Sequence, residues 1–285
     1  MTDLKYNSQI LCTSCGRRKA VYLRRSSGER LCSFCFEKSL IKAIKRTLRG
    51  VEKLRPGMSV SSLIIPERLI TSLTMLYCLN KVERKYGCKV IALVAYKKRF
   101  KDVVEGVVDL IKGRLGVEGV ELVESDDDLK DATPEMLNHY LEAVCTSLDL
   151  DVGVVALPLT LNDVNEVILN SLLNGDLDSA LLLPSFKKGT HIYVIPFYNI
   201  PIYDVYVFSY VRGIYDLTLD NLILSVEGNR KHLREDYYIV KEMIENLSYN
   251  NPELTQTLLK SVNTLLKGGQ KLSPQPKGKS NTMFL

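Results

Sequence analysis

The sequence predicts an α/β protein, an open parallel sheet with helices on both faces, preceded by a small four-cysteine module. Three observations predict it. Short apolar, β-branched runs alternate with longer segments of helical periodicity, the order that βαβ crossovers require. The strand candidates KVIALVAY (Lys89–Tyr96) and DVGVVALPL (Asp151–Leu159) are nearly continuous in apolar residues, as strands buried on both faces are. Four of the seven cysteines fall within the first 35 residues as two Cys-x-x-Cys pairs.

The cysteine module comes first along the chain. Cys12-x-x-Cys15 and Cys32-x-x-Cys35 are sixteen residues apart, which fits two knuckles converging on one tetrahedral ion. The intervening AVYLRRSSGERLC predicts a hairpin with Ser27-Gly28 at its tip. Residues 1–35 are too few to fold on apolar burial alone, so a structural zinc ion is expected to supply the stability. An iron–sulfur cluster is a second possibility for the metal, and a redox-active pair is the other reading of the cysteines. The remaining three, Cys78, Cys88 and Cys145, are isolated; Cys78 and Cys145 sit among apolar residues and are expected in the core.

The following segment, residues 36–56, predicts a basic amphipathic linker helix over Phe36–Leu54, with Leu40, Ile41, Ile44, Leu48 and Val51 as its apolar stripe. Charge is concentrated here. Residues 1–56 hold 14 Lys/Arg against 4 Asp/Glu, a net of +10, so the chain's +5 leaves about −5 for the remainder. A basic end on a mildly acidic body points to a local polyanion site. Arg17, Arg18, Lys19, Arg24, Arg25, Lys42, Lys45, Arg46 and Arg49 are the candidate phosphate contacts for an RNA partner. Aromatic residues are few in this segment, so base stacking is not indicated there.

Residues 57–220 predict the α/β body. SVSSLIIP (Ser59–Pro66), a helix over Glu67–Gly87 and the strand Lys89–Tyr96 make the first βαβ unit. A helix over Lys97–Gly116, a strand over Val117–Ser125 and a polar loop carrying Asp126, Asp127 and Asp128 follow. A helix over Pro134–Leu150 leads to the strand Asp151–Leu159. Then come a helix over Asn162–Asp176 capped by Asn162 or Asp163, a strand over Thr190–Tyr198 and an aromatic-rich helix over Ile202–Gly213. Residues 221–266 predict two helices broken at Asn250–Pro252, and residues 267–285, low in apolar content, a disordered tail. His139, His191 and His232 are isolated and suggest no catalytic group. No apolar run approaches the roughly 20 residues that span a bilayer, and the N-terminal apolar stretch is too short for a secretory signal. A cytoplasmic protein without membrane association is expected.

The run CTSCG…AVYL…GERLCSFCFEKSLIKAIKRTL resembles the opening of the tRNA 2-thiolation family, the tRNA thiouridine synthetases and the cytosolic thiouridylase. NKVERKYGCKVIALVAY, LNDVNEVILNSLLNGD and IPFYNIPIYDVYVFSYVRGI resemble later segments of the same family, in order. The resemblance implies the adenine-nucleotide hydrolase-like fold of PP-loop type. It also implies an ATP-pyrophosphatase that adenylates a tRNA uridine before sulfur transfer. At the decisive positions this chain departs from the pattern. Where the family carries SGGKDS, Glu67, Arg68, Leu69, Ile70, Thr71 and Ser72 stand, and only the serine is kept. Side chains replace both glycines whose backbone would approach phosphate. The family's glycine-histidine pair becomes Pro158-Leu159, although Asp163 is kept. Its catalytic cysteines and C-terminal metal site have no counterparts, since no cysteine follows Cys145.

The resemblance therefore implies a degenerate paralogue, similar to the family's non-catalytic subunit: no ATP, no catalytic residues, tRNA as ligand and a catalytic PP-loop paralogue as heterodimer partner. A stand-alone RNA-binding or assembly protein, and an RNA-modifying enzyme with altered nucleotide chemistry, are the other readings.

Overall fold

The structure, a computed structural model, describes residues 10–49, 51, 57–117, 119–125, 153–176, 183–188, 191–216, 219–223 and 235–272. The chain begins with a two-stranded antiparallel ribbon, β1 (Tyr22–Leu23) and β2 (Arg30–Leu31), closed by a turn in which Gly28 takes a left-handed φ of 69°. Helix α1 (Ser33–Leu48) starts inside the second cysteine pair and buries Leu40, Ile44 and Leu48, the predicted stripe. It ends at Leu48 rather than Leu54; residues 52–56 lie outside the described part.

Strand β3 (Ser59–Ile64) is buried from Val60 onward because it lies in the middle of the sheet. A single 3-10 turn, Pro66–Arg68, leads into α2 (Leu69–Glu83). That helix is buried nearly all round, since it packs on β3 and β4 (Lys89–Lys97) and is covered in turn by α1 and α3 (Lys101–Leu115). It runs over Leu69–Glu83 rather than the expected Glu67–Gly87; a 3-10 turn, Arg84–Tyr86, follows, and Gly87, with φ 70°, ends that turn. Then come β5 (Val120–Ser125), β6 (Val154–Ala156), α4 (Leu161–Leu173), β7 (Ser185–Lys188), β8 (His191–Val194) and α5 (Ile202–Val211). Two helices, α6 (Glu235–Asn250) and α7 (Pro252–Leu272), meet at the predicted break.

The sheet order is β5-β4-β3-β6-β8-β7, parallel except at the edge, where β7 runs antiparallel to β8. The expected α/β architecture is therefore present, with one antiparallel strand the sequence did not announce: SFKK carries too few apolar residues to signal a strand. Helices cover both faces. Val60, Ile64, Ala92, Val94 and Val154 meet α1, α2, α3 and α5 on one side. Leu63, Leu93, Val155 and Tyr193 meet α4 and α7 on the other, through Val164, Ile168, Leu259 and Val262. Strands alternate their side chains between these two cores, which is why their sequences are apolar throughout.

Some boundaries differ from the sequence reading. Strand β4 runs on to Lys97 and a 3-10 turn follows, so α3 starts at Lys101 rather than Lys97. Thr160, not Asn162 or Asp163, is the N-cap of α4, because Asp163 at the third helical position closes a capping box with it. Helix α7 continues to Leu272, into the segment expected to be disordered; residues 273–285 lie outside the described part. So do Asp126–Asp128, the helix expected over Pro134–Leu150, Cys145, His139 and His232.

A buried carboxylate joins three helices. Glu37 on α1 accepts ion pairs from Lys81 on α2 and from Arg212, the residue that caps α5. Its side chain is 9% exposed, against 45% for Lys81 and 24% for Arg212, so the solvent-screened Lys81 pair contributes less. Glu37→Gln keeps the volume and removes the charge that both cations face. We expect it to lower unfolding stability by about 2–3 kcal/mol, read as a lower urea midpoint at unchanged m-value.

Candidate functional site

Two sites are built on this frame, one on the cysteine module and one where the sheet order reverses. The module's four thiols converge because each Cys-x-x-Cys turn folds back on itself. The Gly16 N–H donates to the Cys12 carbonyl, and the Cys35 N–H donates to Cys32 Sγ at the start of α1. All four sulfurs lie within 4.8 Å of one another, with Cys15 Sγ and Cys32 Sγ 4.0 Å apart. Two thiolates each about 2.3 Å from one tetrahedral ion stand roughly 3.8 Å apart. The residues therefore fit a single ion held by four sulfurs. Burial acts to raise the Cys12 thiol, but hydrogen bonds from the backbone of Cys32, Cys15 and Ser14 outweigh it and bring it down to about 6. The Ser14 hydroxyl lowers the Cys35 thiol, yet burial and the three neighbouring sulfurs carry it up to about 11. A divalent ion would draw both into the thiolate form.

The module is locked to the body by polar and aromatic contacts. The Tyr22 hydroxyl donates to Asp204 Oδ1 at 2.5 Å, and Arg24 Nε donates to Oδ2 at 3.4 Å. Burial pushes the Asp204 carboxyl up, opposed by the Tyr22 hydroxyl and the Arg24 charge. The Tyr22 ring stacks on Phe36 at 4.2 Å, Phe36 meets Phe208 edge-on at 5.5 Å, and Phe208 leans on Tyr77 of α2.

Of the nine basic candidates, Arg17, Arg18, Lys19, Arg25, Lys42, Arg46 and Arg49 are exposed. Arg24 is different: besides Asp204 it bonds Glu29 and Ser39, so it is a structural cation. Lys45 is half-buried and lies over the Tyr86 ring. Among the described residues up to Arg49 the carboxylates are Glu29 and Glu37, and both are engaged in internal ion pairs. The outward charge of the module is thus almost purely positive.

The second site is the switch point between β3 and β6, where α/β sheets open a crevice at their strand ends. Here Arg68, after β3, donates to Asp163 Oδ1, after β6. Asp163 Oδ2 accepts both the backbone N–H and the hydroxyl of Thr160, each at 2.7 Å. Ser72 is fully buried, and its hydroxyl accepts the Ile65 N–H at 3.1 Å. The Arg68 N–H is bonded to the Ile65 carbonyl, and Pro66 has none to offer. Leu69 and Thr71 point inward, and the Thr71 hydroxyl returns to the Arg68 carbonyl. The turn that would cradle phosphate is closed on itself, with a guanidinium tied across the crevice. Of the Glu67 side chain nothing is described.

Sequence reasoning did not single out Glu37, Asp204 or Arg212. Their signal is faint: each is one charge on a helix whose apolar stripe must be traced before the charge is seen to lie on it.

No protein-family model matches the sequence, and no curated protein matches it. Among solved structures, the chain is similar to the U34-tRNA thiolase NcsA from Methanococcus maripaludis, determined with its 4Fe–4S cluster. The TM-score is 0.68 at 18% identity, covering 94% of this chain and 89% of that one. It also matches NAD+ synthetase from Burkholderia pseudomallei over 85% of this chain and 91% of that one, at 10% identity and a TM-score of 0.42. The first likeness shows that the chain shares the α/β fold of that thiolase.

Chelation tests whether a bound ion holds the module in place. With a strong chelator, amides of β1, β2 and the cysteine turns are expected to lose hydrogen-exchange protection while β3 and β6 amides stay protected. Unchanged protection in the module would show that its packing alone holds it.

Proposed function

We propose that the chain is a non-catalytic, tRNA-binding subunit that supports wobble-uridine 2-thiolation by a catalytically active PP-loop paralogue. The observation that carries this reading is the Arg68–Asp163 ion pair across the switch-point crevice, with Ser72 turned inward. A PP-loop enzyme holds ATP on glycine backbone at this place; here a side-chain cation and a buried hydroxyl stand instead. The fold likeness to a U34-tRNA thiolase over 94% of the chain supports the link to tRNA modification. The exposed cations of the module, with its carboxylates internally paired, suit RNA phosphates.

In this reading the four-cysteine site takes a structural zinc ion, since its sulfurs are spaced for one ion rather than for a larger cluster. The metal organises Tyr22 and Arg24 for docking and takes no part in chemistry.

Two experiments test the proposal. Calorimetry of the metal-loaded protein with magnesium-ATP at millimolar concentration is expected to give no binding heat. Saturable heat that disappears in Leu69→Arg would instead favour an active nucleotide site. Affinity purification from the native cell is expected to co-isolate a paralogue with an intact SGGKDS loop, and a deletion strain is expected to lose wobble 2-thiouridine by nucleoside mass spectrometry. Normal thiolation in that strain, with RNA but no paralogue recovered, would leave the stand-alone RNA-binding reading in its place.

A further inference from the structure

The outward face of α5 carries three tyrosines in helical register. Tyr203, Tyr206 and Tyr210 are 44%, 44% and 72% exposed, while Asp204, Val205, Phe208 and Ser209 of the same helix are buried. Positions three and four apart lie on one side of a helix, with rises of about 4.5 and 6 Å between them. The rings therefore form a stripe along the helix axis. Its N-terminal end adjoins the cysteine module: the Tyr203 ring lies 6.3 Å from that of Tyr22.

The module that adjoins Tyr203 is basic. Within α5 the sole carboxylate is Asp204, which is buried and bonded by Tyr22 and Arg24. Beyond Tyr22 the hairpin presents exposed Arg25, whose guanidinium sits 4.3 Å from the centroid of Tyr249, itself 64% exposed on α6. On the other flank of the module Arg18 stands over exposed Phe34 at 4.9 Å. The surface thus pairs flat aromatic rings with unneutralised cations. The helix has turned Val205 and Phe208 inward and kept three phenol rings outward. Base stacking needs exposed rings beside cations that track the backbone, and it tolerates any base.

We propose that the Tyr203–Tyr206–Tyr210 face is a stacking surface for unpaired RNA bases, held in register by phosphate contacts to the cysteine module. It rests on the reading of the chain as an RNA-binding protein and specifies which part of an RNA the chain takes: a single-stranded loop rather than a duplex.

Fluorescence anisotropy tests it on the full-length, metal-loaded protein, with a labelled stem-loop RNA and a blunt duplex of the same stem. Alanine at all three tyrosines is expected to weaken stem-loop binding by about 30-fold or more, with duplex binding and salt dependence unchanged. Phenylalanine at all three, which keeps the rings, is expected to stay within about 3-fold of the parent. Arg17→Gln, Arg18→Gln and Arg25→Gln together should weaken both RNAs and flatten the log K against log salt slope by roughly 2 to 3. If the parent binds neither RNA at low salt, the RNA-binding reading falls and the stacking surface with it. If the arginine substitutions act as stated and the alanine variant still binds the stem-loop as the parent does, the stacking surface alone is overturned. Loss of a co-purifying paralogue from the alanine variant with RNA binding intact would likewise overturn it and make the face a protein interface.

Discussion

One buried carboxylate sets how the two parts of this protein meet. Asp204 sits in the first turn of α5 with its charge out of water, and Tyr22 and Arg24, which bond it, both belong to the cysteine module. A buried charge without partners is among the costliest features a fold can hold. The module is therefore a required part of the body, and whatever orders the cysteine turns also satisfies the body. The aromatic ladder Tyr22–Phe36–Phe208–Tyr77 adds apolar contact along the same line.

From that point a series of polar contacts leads to the crevice. The Ile202 N–H, at the start of α5, donates to the Asn162 side chain at the start of α4. The next residue, Asp163, takes Thr160 on one oxygen and Arg68 on the other. Module, α5, α4 and the turn after β3 are thus joined by side-chain contacts. The crevice is held shut by the same groups that position the helices around it.

Much of this was legible in the sequence, and the limits have physical causes. The paired cysteines, the apolar runs and the stop at Gly87 are local signals, set by the Cys-x-x-Cys spacing, burial on two faces and a left-handed residue. The absence of glycine from Glu67–Ser72 was equally local. What the sequence could not show is the pairing of Arg68 with Asp163, 95 positions apart, because only the β3–β6 adjacency brings them together. The antiparallel β7 was missed because SFKK owes its strand to its neighbour β8, not to its own composition. The tyrosine stripe was in plain view in IYDVYVFSYV, but which side faced water depended on where Asp204 had to go. The aromatic residues that the basic module lacks are supplied from α5 and α6, nearly 200 residues later in the chain.

The tether on Arg68 has a consequence for timing. A phosphate arrives, is turned over and leaves, so a crevice organised around one passes through empty and filled states. A guanidinium attached to the neighbouring strand is present at a fixed, high effective concentration and never departs. On the function proposed above, the crevice of this chain then keeps a single resting state, whatever the cell's nucleotide supply. In that reading its outer surfaces, the basic module and the α5 face included, are offered in one constant arrangement, and any rhythm in an assembly it joins comes from another component.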